Sequence, residues 1–301
     1  MRAANIPIKG LYWPLCRAYA RMRGNRPADA FLRFLCSFLY RYIYRAWPNF
    51  AQPRKFSEKI WSLQLHGRDP RLTAISDKLR AREYVAARAG SECLIPTYWC
   101  GSDPETIPFD ILPSQYVLKA NHGCGFTLLV KGRTQVDRPR IVRQLKQWLA
   151  INYCEDTYLG IAWGYKQIQP KIIAEALLEE GGKPPIDFKF WCFNGRVEFV
   201  SLHFDRFTKH STLSLDRELN QPKGLNFDLP RYAGTFDRPP NYADMVSLAE
   251  CLANGFSFMR VDLYNVEGRV YFGEMTPYPG GVTSRFEPEA TDLALGSLWL
   301  S

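Results

Sequence analysis

The chain has 301 residues, 46% of them apolar and 14% aromatic, enough to bury a large core and to form two or three lobes. Its formal charge is +9, yet residues 1–59 hold twelve Lys and Arg against only Asp29 and Glu58, a local excess of +10 that leaves the remaining 242 residues at −1. A basic excess confined to one end argues against a nucleic-acid enzyme, which carries cations along its working groove, and marks residues 1–55 as a basic N-terminal arm.

Between 31 and 45, Phe31, Phe34, Leu35, Phe38, Leu39 and Tyr42 recur at helical spacing, while Arg33, Ser37, Arg41 and Arg45 form an i, i+4 stripe. The pattern predicts an amphipathic basic helix, either docked on the body with its arginines in solvent or lying on an anionic membrane surface. Pro48 and Pro53 end it. A linking lobe is expected over 56–115, where Ser57 is placed to cap a helix running to Leu65 and Asp77 to cap one from Lys78 to Ala89, closed by Gly90.

Residues 116–178 read as a first α+β subdomain. A strand at 116–120 enters a turn at Asn121, His122, Gly123, Cys124 and Gly125, followed by a strand at 126–131, a helix near 138–151 and a buried strand within 171–178. A second subdomain over 179–301 opens with a hairpin, 187–193 and 196–202, across Asn194-Gly195.

Residues 258–264 and 270–276 form a second pair of β-rich runs. A three-residue loop with Gly268 in the left-handed position pairs Asn265 with Arg269. It puts Arg260, Asp262, Phe272, Glu274 and Thr276 on one face and turns Val261, Leu263, Tyr271 and Met275 to the core. A two-residue loop would set the two carboxylates on opposite faces. Two carboxylates diagonal on one face repel unless a cation lies between them, and magnesium held jointly with substrate phosphates suits such a pair. The plain alternative is a pair of solvent-facing acids on an edge hairpin.

Five segments in one order carry a wider likeness: SDKLRAREYV (76–85), YVLKANHGCGF (116–126), KIIAEALL (171–178), DFKFWCFNG (187–195) and MRVDLYNVEGRVYFGEMTPYPGG (259–281). Together they resemble the ATP-grasp superfamily, most closely the branch similar to the teichuronopeptide-synthesis protein TupA. KFSEKIWSLQLHGRDPRL (55–72) is similar to that branch's entry segment. The resemblance implies an α+β ATP-grasp fold whose two subdomains clasp ATP between antiparallel sheets. It implies that Lys78 and Lys119 hold the phosphates under a glycine turn of His122, Gly123 and Gly125, and that Glu175, Ala176, Leu177 and Leu178 form the hinge that reads adenine. Asp187 would accept the ribose hydroxyls. Asp262 and Glu274 would ligate magnesium, with Thr276 standing where many members have Asn, and Arg260 would stabilise the transferring phosphoryl group.

The activity so implied is an ATP- and magnesium-dependent carboxylate–amine ligation through an acyl phosphate. The TupA-like branch suggests a uronic-acid carboxylate of a surface polysaccharide or its lipid-linked precursor, joined to an amino acid or other amine. Lys189, on the strand face of Asp187, is expected either to join Lys119 and Arg260 as a catalytic cation or to be a surface lysine, and Arg206, Lys209 and Arg285 flank the site as candidates for the acidic substrate or as solvated charges. Alternatives are a polysaccharide kinase or glycosyltransferase, although no Asp-x-Asp motif is present, and a catalytically inactive nucleotide-binding component, which Thr276 keeps open.

His122 and Cys124 are close enough for a nucleophile pair but lack an oxyanion donor and a third orienting group. His203 and His210, seven apart with no third ligand, read as structural or substrate-contacting. The eight cysteines show no C-x-x-C pair or zinc-ligand spacing and read as reduced thiols. No run approaches the roughly 20 apolar residues of a membrane span, and no signal-peptide pattern begins the chain, so a cytoplasmic protein is expected.

Overall fold

A computed structural model describes residues 26–132, 137–158, 160–206, 208–222, 230–280, 285–286 and 288–300, together with 14, 15, 18 and 22. Arg2, Lys9, Arg17, Arg21 and Arg23 of the basic arm lie outside the described residues.

Helix α1 (Arg26–Tyr44) ends where Arg45 takes φ of +61°. Its inward face is Leu32, Leu35, Cys36, Leu39, Tyr40 and Ile43, packed on Trp61, Leu65, Tyr153, Ile161 and Tyr278. That arc differs from the expected stripe: Leu35 and Leu39 are buried, whereas Phe34 and Phe38 face outward. The helix is apolar around most of its circumference, so spacing alone did not choose the buried side.

Helix α2 (Phe56–His66) begins one residue before Ser57, which is therefore not its cap. Glu58 accepts from the backbone N–H groups of Arg54 and Lys55, and Ser57 turns both its N–H and its hydroxyl to Asp292. Helices α3 (Pro70–Ser76) and α4 (Lys78–Ala89) follow. Asp77 caps α4 by accepting from Leu79 N at 2.9 Å, and Gly90 closes it at φ +81°, both as expected.

The first sheet has the order β1-β4-β2-β3, all antiparallel: β1 (Thr97–Gly101), β2 (Gln115–Ala120), β3 (Thr127–Lys131) and, after helices α5 (Arg138–Leu149) and α6 (Tyr153–Tyr158), β4 (Ile172–Ala176). Period-2 alternation divides it. Tyr116, Leu118, Val130, Ile172 and Ala174 pack on Ile141, Leu145 and Trp148 of α5, and the opposite face presents Val117, Lys119, Leu129 and Glu175.

The second sheet is β7-β6-β5-β8-β9, also antiparallel throughout. Its strands are β5 (Asp187–Phe193), β6 (Arg196–Phe204), β7 (Ser211–Asp216) and, after α7 (Tyr242–Ala253), β8 (Phe258–Val266) and β9 (Arg269–Thr276). One face, with Phe188, Phe190, Val261, Leu263 and Met275, packs on α4 and α7. At one end of the other face, Trp191, Phe193, Phe199 and Phe258 surround Phe56 beneath α8 (Glu289–Leu298), and the rest of that face is left for polar groups.

The β8-β9 turn corrects the expected register. Glu267 and Gly268 both have positive φ, 51° and 81°, which makes a two-residue type I′ turn in which Val266, not Asn265, faces Arg269. Uninterrupted, this register would separate the carboxylates. A bulge between Asp262 and Leu263, opposite Gly273, adds one residue to β9 and restores them to one face. The two-residue turn, ahead of the bulge, pairs Phe272 with Leu263 and sends it into the core at 4% exposure, not to the site, and leaves Tyr271 half-buried, not in the core. Asp262 and Glu274 are directly opposite one another, not diagonal.

Candidate active site

A cavity of about 450 Å³ lies between the two sheets. Val117, Lys119, Thr127, Leu129, Glu175 and Ala176 line it from the first sheet; Asp187, Asp262, Tyr264, Gly273 and Glu274 line it from the second. Such a volume with apolar walls and a few convergent charges is the usual form of a small-ligand site.

On the second sheet the charges lie in transverse rows. Lys189 pairs with Asp262 across β5 and β8, and Asp262 with Glu274 across β8 and β9, so three ionisable side chains stand abreast. Two residues along, Arg260 faces Thr276. Arg260 Nε donates to Asp262 Oδ1 at 2.6 Å, and its Nη2 donates to Asp262 Oδ2 at 2.7 Å, Glu274 Oε1 at 2.8 Å and Thr276 Oγ1 at 3.0 Å. Lys189 donates to Asp262 and lies 2.8 Å from Asp187. The arginine thus sits where two opposed carboxylates demand positive charge.

Burial sets the titration of these groups, and their neighbours oppose it. Burial raises the Asp262 carboxyl above the usual range against the pull of Arg260 and Lys189. Burial would raise Glu274 as well, but Arg260, Lys189, Lys78 and Arg206 outweigh it and hold that carboxyl well below its ordinary range. Tyr264 is pushed well up by burial and by Asp187, so it stays a neutral phenol at the cavity wall.

The facing wall carries the lysines. Lys119 forms an ion pair with Glu175, its diagonal neighbour on the sheet face. Lys78, in the first turn of α4, donates to the Gly123 carbonyl, and burial lowers its pKa while Glu274 across the cavity opposes that shift. Asn121 locks both together. Its amide donates to Asp77 Oδ1 at 2.9 Å and to the Gln169 carbonyl at 3.1 Å, its Oδ1 accepts from Lys171 N at 2.7 Å, and its carbonyl accepts from Lys78 N at 3.1 Å. The sequence signal available for this role was an Asn set directly between an apolar strand and a glycine turn, which the expected site residues did not include.

Most expected site residues therefore converge: Lys78, Lys119, Gly123, Gly125, Glu175, Ala176, Leu177, Leu178, Asp187, Arg206, Asp262 and Glu274 all line the cavity. Arg206 reaches Asp187 Oδ2 at 2.9 Å. Thr276, Arg260 and Lys189 lie directly beneath as partners of the two metal candidates. Three do not converge. His122 is 2% exposed and turned against Phe126, away from the cavity, because an apolar wall takes the imidazole while its neighbouring glycines take the opening. Lys209 is exposed in the β6-β7 connection, away from the cavity lining. Arg285 lies near Tyr44 of α1, where its charge lowers that phenol's pKa against burial. His203 and His210 hydrogen-bond to one another at 2.9 Å, beside Asp187 and Arg206.

The donor set fits a hard divalent cation held with a polyphosphate. Among the described residues no cluster of three or more His, Cys, Asp or Glu could hold a metal; a cation between Asp262 and Glu274 would have two protein carboxylates and would take its other ligands from water or ligand oxygens. Asp187 Oδ1 is buried without a partner among the described residues, an acceptor waiting for a hydroxyl at the cavity wall.

A family model for TupA-like ATP-grasp proteins matches residues 58–300. The chain belongs to the TupA-like ATP-grasp family. Solved structures in this likeness include D-alanine–D-alanine ligase from Bacillus anthracis complexed with ATP, at 13% identity over 75% of this chain and 62% of that one, TM-score 0.43. The Helicobacter pylori D-alanine–D-alanine ligase has 15% identity over 75% and 61%, TM-score 0.44. A RimK domain ATP-grasp protein from Sphaerobacter thermophilus has 12% over 77% and 69%, TM-score 0.44. The TupA-like chain spans about three-fifths of the length of the first of these. No curated protein matches it. No helix among the described residues is long and apolar enough to cross a membrane.

Proposed function

We propose that this TupA-like ATP-grasp protein is an ATP-dependent carboxylate–amine ligase, its acid a uronic-acid carboxylate of a cell-surface polysaccharide or precursor and its amine an amino acid or related compound. The observation that carries the reading is the opposition of Lys78 and Lys119 on one cavity wall to Asp262 and Glu274 on the other. Cations and a pair of metal-ligating carboxylates facing across a cleft suit a polyphosphate whose tail lies between them.

In this reading Ile95, Val117, Leu129 and Leu178 receive the base, Asp187 Oδ1 accepts a ribose hydroxyl, and the lysines hold phosphate oxygens beneath Gly123 and Gly125, whose backbone leaves room for close approach. Magnesium bound by Asp262 and Glu274, with Thr276 beside them, would neutralise charge on the reacting phosphates. The acid's oxygen attacks the γ-phosphorus as the bond to ADP breaks. The amine then attacks the acyl carbon, phosphate departs with that oxygen, and the nitrogen loses a proton. With magnesium held by Asp262 and Glu274, Arg260 and Lys189, which pair with Asp262, would be free to meet charge that develops on the transferring group.

ADP release measured with magnesium, ATP, uronic acids and amines tests the proposal. Turnover should require both acid and amine, give a product whose mass is the condensed pair, and fall by at least about 100-fold in Asp262→Asn or Glu274→Gln. ADP release with a saccharide alone would make the protein a kinase. Full activity in either variant would remove the metal assignment.

A further inference from the structure

The outward side of α1 carries a surface that the cavity does not use. Phe34 is 54% exposed, Phe38 41% and Trp47 58%. They are joined: the rings of Phe34 and Phe38 meet edge to face at 4.7 Å between centroids, and those of Phe38 and Trp47 at 5.0 Å. A continuous aromatic ridge in water is unfavourable for a lone soluble body. The helix is not loose, because its other side is anchored in the core by Leu32, Leu35, Leu39 and Ile43.

The ridge is flanked by charge of one sign. Arg33 and Arg45 are exposed and Arg41 half-buried, and Arg33, Ser37 and Arg41 follow one another at i, i+4 along the outward arc beside the aromatics. From 26 to 54 the sequence has five arginines and a single acid, Asp29. The whole positive excess of the protein lies in this end, since the chain beyond residue 59 sums to −1. Aromatic rings with flexible cations around them suit the boundary of an anionic bilayer, where rings enter the headgroup layer and guanidinium groups meet lipid phosphates. A protein partner would have to be acidic and apolar at once, whereas an anionic membrane supplies both properties in one plane.

We propose that the α1 ridge of Phe34, Phe38 and Trp47, with Arg33, Arg41 and Arg45, docks the protein peripherally on an anionic lipid surface. The inference does not rest on the ligase reading: the ridge faces solvent away from the cavity and contributes nothing to its lining. If both hold, docking places the cleft beside a membrane-borne acid.

The test is co-sedimentation of the full chain with vesicles of phosphatidylcholine alone or with one third phosphatidylglycerol, at low and high salt. Binding should require the anionic lipid and weaken steeply with salt. Arg33→Gln, Arg41→Gln and Arg45→Gln together should lower the partition coefficient by about fivefold per arginine. Phe34→Ser with Trp47→Ser should lower it at least about tenfold, with thermal unfolding unchanged because both rings are already in solvent. Equal binding to neutral vesicles, or full binding by the aromatic double variant, would overturn the proposal. So would a wild-type dimer in light scattering that the aromatic variant dissolves, since the ridge would then be a contact between copies.

Discussion

Replacing Arg260 with Met isolates the electrostatic logic of the site. The guanidinium makes two bonds to Asp262, at 2.6 and 2.7 Å, and one each to Glu274 and Thr276. Asp262 is 1% exposed, so its charge has no water to fall back on, and among the described residues only Lys189 remains paired with it once Arg260 is gone. Removing one partner of a buried pair costs about 3–5 kcal/mol. For a chain of this size that lowers the melting temperature by about 5–8 °C. The variant also leaves two carboxylates directly opposed with less counter-charge between them, which is an emptier cation site than the wild type offers. Magnesium without nucleotide should therefore stabilise Arg260→Met more than wild type. At ten times its Kd, a ligand specific to the folded state adds about 1.4 kcal/mol, about 2 °C. Differential scanning fluorimetry with and without magnesium reads both effects. A variant that melts within 2 °C of wild type, or a magnesium shift no larger in the variant, would refute the reasoning.

Two other outcomes follow from the geometry. A Cβ on Gly273 would lie 3.0 Å from the Asp262 carbonyl and 3.0 Å from the Tyr264 ring. Gly273→Val should cost about 1–3 kcal/mol and weaken nucleotide binding at least about tenfold by calorimetry, and unchanged affinity would show that the bulge does not border the ligand. Burial, reinforced by Lys189, pushes the His203 imidazole down to about 2 in the folded protein. The unfolded chain takes up that proton below its ordinary pKa near 6.5, so the stability due to the neutral ring is complete above that pH and is lost as pH falls, by about 1.4 kcal/mol per unit. Urea unfolding at pH 7.5, 6 and 5 should show a shallower acid decline in His203→Gln. Parallel curves for the two proteins would contradict this.

Much of the fold was legible because its signals are local. Asn194-Gly195 makes the turn its sequence announces, Asp77 and Gly90 bound α4, and the alternation in β2 separates Lys119 from Leu118. Distant contacts account for the failures. Ser57 has the composition of a cap, but a carboxylate 235 residues away on α8 claims it, and no local pattern contains that fact. The β8-β9 turn was misread because Glu267 is an unfavourable residue for positive φ, which concentrated attention on Gly268. A glycine inside a strand pattern is itself a bulge signal, so Gly273 offered the correction that the loop concealed. The shared face of Asp262 and Glu274 was thus expected correctly through a register that was wrong. Arg285 and Lys209 were placed near the site by chain proximity, and the fold carries them elsewhere.

Manganese electron paramagnetic resonance, titrated in the presence of ADP, tests the paired carboxylates most directly. One nucleotide-dependent manganese site per chain is predicted for wild type, and none for the Asp262→Asn, Glu274→Gln double variant. A double variant that keeps a full complement of nucleotide-dependent manganese would place the metal elsewhere and contradict the assignment.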